Sequence, residues 1–91
     1  MGDFTDNTAD GRFELTENGA LAYASYRREG DTVVIRYVEA APALRGTGAA
    51  GRLMTHVAEL VRAEGLKARP DCSYAVAWFR RNPKYHDVLE D

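Results

Sequence analysis

From Arg12 onward, apolar and polar residues alternate in short runs. Arg12-Phe13-Glu14-Leu15 reads as a strand, stopped by the turn-forming Glu17-Asn18-Gly19. Alternation resumes from Ala20 to Arg28 through Leu21 and Tyr23, then breaks at Arg28-Glu29-Gly30-Asp31. Thr32 to Val38 follows, dense in β-branched and aromatic residues. Three strands joined by tight turns predict an antiparallel meander. The period then changes. Ala50, Leu53, Met54, Val57, Ala58 and Val61 share one helical face, so Gly48 to Glu64 is expected to be helix, stopped by Gly65. Leu66 to Cys72 is expected to return as a fourth strand, parallel to the third because a helical crossover joins them. Ser73 reads as the N-cap of a short helix to Arg81, which Asn82-Pro83 halts; Tyr85, Val88 and Leu89 then pack as a final turn. Residues 1–10 are polar apart from Phe4 and read as a flexible N-terminal segment, leaving 11–91 as a single α+β domain.

Composition narrows the class. In 91 residues, 45% hydrophobic and 29% charged content is ordinary globular chemistry with a modest core. A net charge of -2 argues against a general nucleic-acid binder. No apolar run approaches the roughly 18 residues that a membrane span needs, and Met1 to Asp10 is too polar for a signal peptide. One cysteine excludes an internal disulfide, and two distant histidines supply no metal cluster, so a reduced cytoplasmic setting fits best.

The candidate chemistry centres on Arg45-Gly46-Thr47-Gly48-Ala49-Ala50-Gly51, between the third strand and the main helix. Such a turn leaves backbone N–H groups unpaired at the positive end of the helix dipole. Gly46 and Gly48 lack a Cβ, so an oxyanion can approach the main chain. A nucleotide-binding loop is disfavoured by the single residue between these glycines, the missing lysine and the short chain. The letters match a Gly-x-Gly-x-x-Gly dinucleotide fingerprint, but the chain is too short for that sheet and Lys67 to Cys72 is a poor second strand for it. The pyrophosphate of coenzyme A is a third option.

Arg45-Gly46-Thr47-Gly48 between a strand and a long helix resembles the coenzyme A loop of the GNAT acetyltransferases. With Glu64-Gly65-Leu66-Lys67, Pro70-Asp71-Cys72-Ser73-Tyr74 and Arg81-Asn82-Pro83-Lys84-Tyr85, the order is similar to the minimal, single-domain GNAT-like family over residues 10 to 88. The resemblance implies a GNAT-like fold: a three-stranded antiparallel meander, a fourth strand after the main helix and a short C-terminal helix. It implies acetyl-CoA as co-substrate, without a metal, and an amine acceptor, either a protein or peptide lysine or a small amine. The third strand would splay from its neighbour, with Val38 to Ala40 pairing with the pantetheine arm, while Gly46, Gly48 and the N–H groups of Arg45, Thr47, Ala49 and Ala50 would hold phosphates. The first position of the superfamily motif falls on Ala43 in place of Gln or Arg, which removes a side-chain contact and leaves the backbone cradle.

Cys72, at a strand end before a helix, is the chemical candidate; the dipole and Arg69 or Arg80 would favour its thiolate. It would carry acetyl or line the pocket, or pack as a small hydrophobe. Tyr37-Val38-Glu39 stands where many relatives resemble His-Thr-Glu. A phenol with a reference pKa of about 10 is no base near neutrality, so Glu39 is left to take the amine proton, or to face solvent as an ordinary strand-end carboxylate. Arg80, with Arg81 and Lys84, would meet coenzyme A phosphates or simply complement a helix C-terminus. His56 and His86 read as surface positions. Besides an acyltransferase, the pattern fits a coenzyme A-binding module without efficient transfer, acting as a sensor or interaction partner.

Overall fold

The structure is a computed structural model and describes residues 3–90. In chain order it comprises β1 (Asp3–Asn7), β2 (Arg12–Glu17), β3 (Ala20–Glu29), β4 (Thr32–Ala40), α1 (Ala49–Ala63), β5 (Lys67–Pro70) and α2 (Ser73–Arg81). Two 3-10 turns, Pro42–Leu44 and Pro83–Val88, follow β4 and α2. The strands form one sheet in the order β1-β2-β3-β4-β5, antiparallel throughout except for the parallel β4–β5 pair. The α+β meander, the crossover helix, the parallel strand after it and the short last helix are all present as expected.

Turn chemistry sets the meander. Glu17 pairs with Ala20 across Asn18-Gly19, both with positive φ (52° and 74°), which is the tight hairpin whose twist matches its strands. Phe13 and Leu15 face Ala24 and Ala22 across the next ladder, and these four side chains are buried. The apolar stripe of α1 lies over them: Leu53, Met54, Val57, Ala58 and Val61 are buried in one cluster with Phe13, Leu15, Val33 and Ile35. Ala75, Trp78 and Phe79 of α2, and Tyr85 and Val88 after it, join the same cluster. Asn82 closes α2 by donating from Nδ2 to the Trp78 carbonyl at 2.7 Å. Tyr85 is tied to α1 by its hydroxyl, which donates to Glu59 at 2.6 Å.

The flexible reading of residues 1–10 is corrected by β1, which pairs with β2 from Asp3↔Thr16 to Asn7↔Arg12; Met1 and Gly2 lie outside the described residues. Its one apolar side chain, Phe4, stacks on Phe13 (centroids 6.1 Å apart) and on His56 of α1 (4.9 Å). Tyr26 donates its hydroxyl to Asp6 at 2.6 Å, fastening the strand from beneath. Burial and that hydrogen bond together push the Tyr26 phenol up to about 12.

Candidate active site

After β4, Pro42 starts a 3-10 turn and Leu44 is buried, which pins the chain before the glycine loop. Gly46 has φ +78°, and Gly48, the N-cap of α1, has φ +87°, a region L side chains rarely occupy. Of the donors expected here, the Arg45 N–H bonds the Pro42 carbonyl (3.2 Å) and the Thr47 N–H the Leu44 carbonyl (3.2 Å). The Ala49 N–H donates to Thr47 Oγ1 at 3.2 Å. Among the described residues, the N–H groups of Gly46, Gly48, Ala50 and Gly51 have no such partner. The unpartnered N–H groups therefore lie on the glycines and the first turn of α1, with Ala50 alone kept from the expected donors. Arg52 braces it: Nη1 donates to the Thr47 carbonyl at 3.0 Å, while Nε and Nη2 donate to both Glu17 oxygens at 2.8 Å. That fork holds the Glu17 carboxyl below its ordinary range.

The loop opens onto a cleft of about 280 Å³ lined by Ala40, Leu44, Arg45, Gly46, Gly48, Ala49, Ala50, Gly51 and Tyr74. Ala40, the last residue of β4, is the one that strand contributes to the lining. Ser25 pairs with Tyr37 but Tyr26 with Ile35, so Arg36 is an extra, unpaired residue: a β-bulge. On the other side, pairing with β5 ends at Ile35↔Pro70, where the Asp71 N–H donates to the Ile35 carbonyl at 2.8 Å. Beyond it β4 keeps only β3 as neighbour among the described residues. The Ala41 N–H bonds the Leu21 carbonyl at 2.9 Å, so ladder alternation turns the backbone groups of Glu39 and Tyr37 toward β3 and those of Val38 and Ala40 toward the open edge.

Side chains divide the other way. Val38 and Ala40 pack against the core, whereas Tyr37 and Glu39 lie on the sheet face away from the helices. Glu39 accepts a hydrogen bond from the Tyr37 hydroxyl (3.2 Å) and pairs with Arg45 Nη2 (3.6 Å). The carboxylate holds the Tyr37 phenol above its ordinary value, which removes it further from basic chemistry. Cys72 is half-buried and is itself the N-cap of α2, its Sγ accepting from the Ala75 N–H at 3.4 Å. The expected cap, Ser73, is instead the first helical residue, because the extended backbone (φ -104°, ψ 152°) belongs to Cys72. Arg69 is occupied by Glu29 (3.1 Å) and Glu90 (3.5 Å). Arg80 lies elsewhere, lining a second cleft of about 240 Å³ with Pro70, Val76, Phe79, His86 and Leu89. In that cleft His86 Nε2 is 2.7 Å from the Phe79 carbonyl oxygen. Neither Glu39 nor Cys72 lines the glycine cleft.

Sequence reasoning missed Tyr74. It stands four residues before Trp78, on the helical face turned to Gly51; a Cβ on that glycine would meet Trp78 Nε1 at 3.8 Å and the Tyr74 hydroxyl at 3.9 Å. Burial raises the Tyr74 phenol, keeping it protonated, and the hydroxyl has no hydrogen-bond partner among the described residues. The available signal was Ala50-Gly51, two small residues where one helix start must pass another helix.

Residues 12–88 match the model of the GCN5-related N-acetyl-transferase family, and the chain belongs to that family. Its fold is similar to the solution structure of a GCN5-like protein from Staphylococcus aureus, with a TM-score of 0.69 and 25% identity over 97% of this chain and 87% of that one. A search of curated proteins gave no match. No helix among the described residues is long and apolar enough to cross a membrane.

Proposed function

We propose that this protein binds acetyl-CoA and moves the acetyl group to an amine. The observation that carries the reading is a single cleft lined by the glycine loop, by the start of α1 with its partnerless N–H groups, and by Ala40 at the end of the open β4 edge. The residues fit the ligand: at Gly46, which lines the cleft, a Cβ would meet no atom within 4 Å, and at Gly48 it would crowd Arg52. When bound, acetyl-CoA supplies an activated acyl carbon. The Gly46, Gly48, Ala50 and Gly51 N–H groups and Arg45 hold phosphate oxygens. Val38 and Ala40 present backbone groups to an amide-bearing arm, and an N–H there stabilises negative charge on the acyl oxygen. Tyr74 keeps a proton to give at its hydroxyl, and Glu39 accepts the amine proton directly or through water. Cys72 either lines the acyl position or takes the acetyl group on Sγ and passes it to the amine; full turnover by Cys72→Ala leaves only the lining role. A reduced cytoplasmic setting suits the free thiol.

One feature favours a second reading, a coenzyme A-binding module. Tyr37, a phenol held protonated, stands where the resemblance puts the histidine of many relatives, and Glu39 is already paired with Arg45. Titration with acetyl-CoA, and separately with ATP and NAD, followed by amide NMR, tests both. Shifts confined to acetyl-CoA and centred on residues 38–40 and 46–51 support the shared binding step, and no response to acetyl-CoA overturns both. Binding without product on an amine panel leaves the module.

A further inference from the structure

The cleft of about 240 Å³ that Arg80 lines has no lining residue in common with the glycine cleft. It lies where α2, the end of β5 and the segment after α2 meet. Val76, Phe79 and Arg80 come from one stripe of α2, Pro70 from the end of β5, and His86 and Leu89 from the last segment. Pro70, Val76 and Leu89 are half-buried beside the buried Phe79, so the lining is apolar apart from Arg80 and His86. The strand edge explains why the cleft stays open. Leu89 bridges Ala68, and the Glu90 N–H donates to the Ala68 carbonyl at 2.9 Å, which covers β5 only as far as Ala68. Alternation turns Pro70 toward that same outer edge, and proline has no N–H to give.

The two polar residues are differently placed. His86 Nε2 lies 2.7 Å from the Phe79 carbonyl oxygen, which can only accept, so the ring carries a proton there and is fixed by it. Arg80 is exposed and makes no ion pair among the described residues. The carboxylates of neighbouring segments are taken: Asp87 by Arg62 (2.6 Å), Asp71 by Arg69 (3.9 Å), and Glu90 by Thr32 Oγ1 (2.9 Å) and Arg69 (3.5 Å). Arg81 and Lys84 add like charge at this end of α2. Apolar surface thus meets an uncommitted guanidinium.

We infer that this cleft binds a small apolar monocarboxylate, its carboxylate on Arg80 and its hydrocarbon against Pro70, Val76, Phe79 and Leu89. A guanidinium meets a carboxylate through two parallel N–H donors, a match that a neutral or cationic ligand does not make. The volume is below the roughly 300–1,000 Å³ of sites for drug-sized ligands, so the occupant is about one ring or a short chain. The edge disfavours a peptide: with the Ala68 carbonyl taken and no N–H at Pro70, an added strand finds no ladder. The site stands apart from the acetyltransferase reading and does not depend on it.

The test uses the full chain with isotope-labelled valine and leucine methyl groups, titrated with phenylacetate, phenylacetamide and acetate. Phenylacetate should shift the Val76 and Leu89 methyls. Phenylacetamide should bind there roughly two- to five-fold more weakly, the range for an exposed ion pair, and acetate, lacking an apolar body, should leave the methyls unmoved. Arg80→Gln should bring phenylacetate down to the affinity of its amide while leaving the amide unchanged. An amide that binds as tightly as the acid, an acid preference that survives Arg80→Gln, or silent Val76 and Leu89 methyls would each overturn the inference. A parallel sample receives acetyl-CoA, with amides 46–51 read alongside the methyls. Displacement of phenylacetate by acetyl-CoA would make the cleft part of the cofactor site and overturn the inference too. Phenylacetate retained supports it, whether or not amides 46–51 respond.

Discussion

Gly46→Ala separates the backbone needs of the fold from those of a ligand. Its φ of +78° makes any side chain strained, yet a Cβ there would meet no atom within 4 Å. Gly65, just past α1, has the same properties, with φ +68° and open space around it. Each alanine should therefore cost about 1–2 kcal/mol of left-handed strain. In a domain of this size that lowers Tm by about 4–8 °C per kcal/mol. Gly48→Ala should cost more. At φ +87° its Cβ would come within 3.0 Å of Arg52 Nη1, so the guanidinium must leave the Thr47 carbonyl it holds at 3.0 Å. That adds about 0.5–1.5 kcal/mol for one hydrogen bond. Binding should divide the three differently. Gly46 lines the cleft and Gly65 does not, so a methyl at position 46 occupies the approach to its N–H. Losing one charge-assisted hydrogen bond of about 1.5–3 kcal/mol weakens coenzyme A roughly ten-fold or more. Thermal unfolding and calorimetric titration well below Tm give both numbers. Gly46→Ala matching Gly65→Ala in stability and in affinity would refute the cradle.

Three further outcomes follow from side-chain geometry. The Tyr26 phenol, raised to about 12 against about 10 unfolded, keeps its proton longer in the native state, so stability should fall as pH rises from about 10 through about 12. Tyr26→Phe should flatten that limb in urea titrations, cost about 1 kcal/mol at neutral pH and speed amide exchange in β1. At the acid end, Arg52 lowers the Glu17 carboxyl, chiefly through its hydrogen bonds. That contribution is complete above the unfolded value of about 4.3 and is lost as pH falls through the lower native one. Arg52→Met should therefore narrow the stability gap between pH 7 and pH 3, and added salt should narrow it in the wild type; no change in either would refute the linkage. Cys72→Ala should cost about 1 kcal/mol by uncapping α2, whereas Cys72→Ser keeps an acceptor and should stay near wild type by urea unfolding.

What could be read from the sequence was what repeats. Alternation, two tight turns and one 3.6-residue stripe each involve several residues, and the meander and α1 stand where those patterns put them. Features resting on one residue were not legible. β1 has a single apolar anchor, Phe4, and its other support comes from Tyr26, twenty positions away from Asp6. The cap of α2 turned on whether Cys72 or Ser73 took the extended backbone. Arg80 reached a different cleft because helix phase, which composition does not reveal, turns it toward His86.

The bulge at Arg36 has the largest consequence of these single-residue features. Val33 and Ile35 face the helices, and strict alternation from them would bury Tyr37 and Glu39 in turn while sending Val38 and Ala40 to solvent. One extra residue exchanges the two sets. Small apolar side chains then fill the helix face, where a bulky phenol and a carboxylate would have to be desolvated. The phenol and carboxylate go to the open face, where Tyr37 is half exposed. The same residue falls where β5 stops pairing, so the change of face and the parting of the strands occur together. An open backbone edge at Val38 and Ala40 and an exposed Tyr37–Glu39 pair on the other face thus come from a single insertion in β4. Deleting Arg36 should therefore disturb both faces at once, while substituting it should disturb neither.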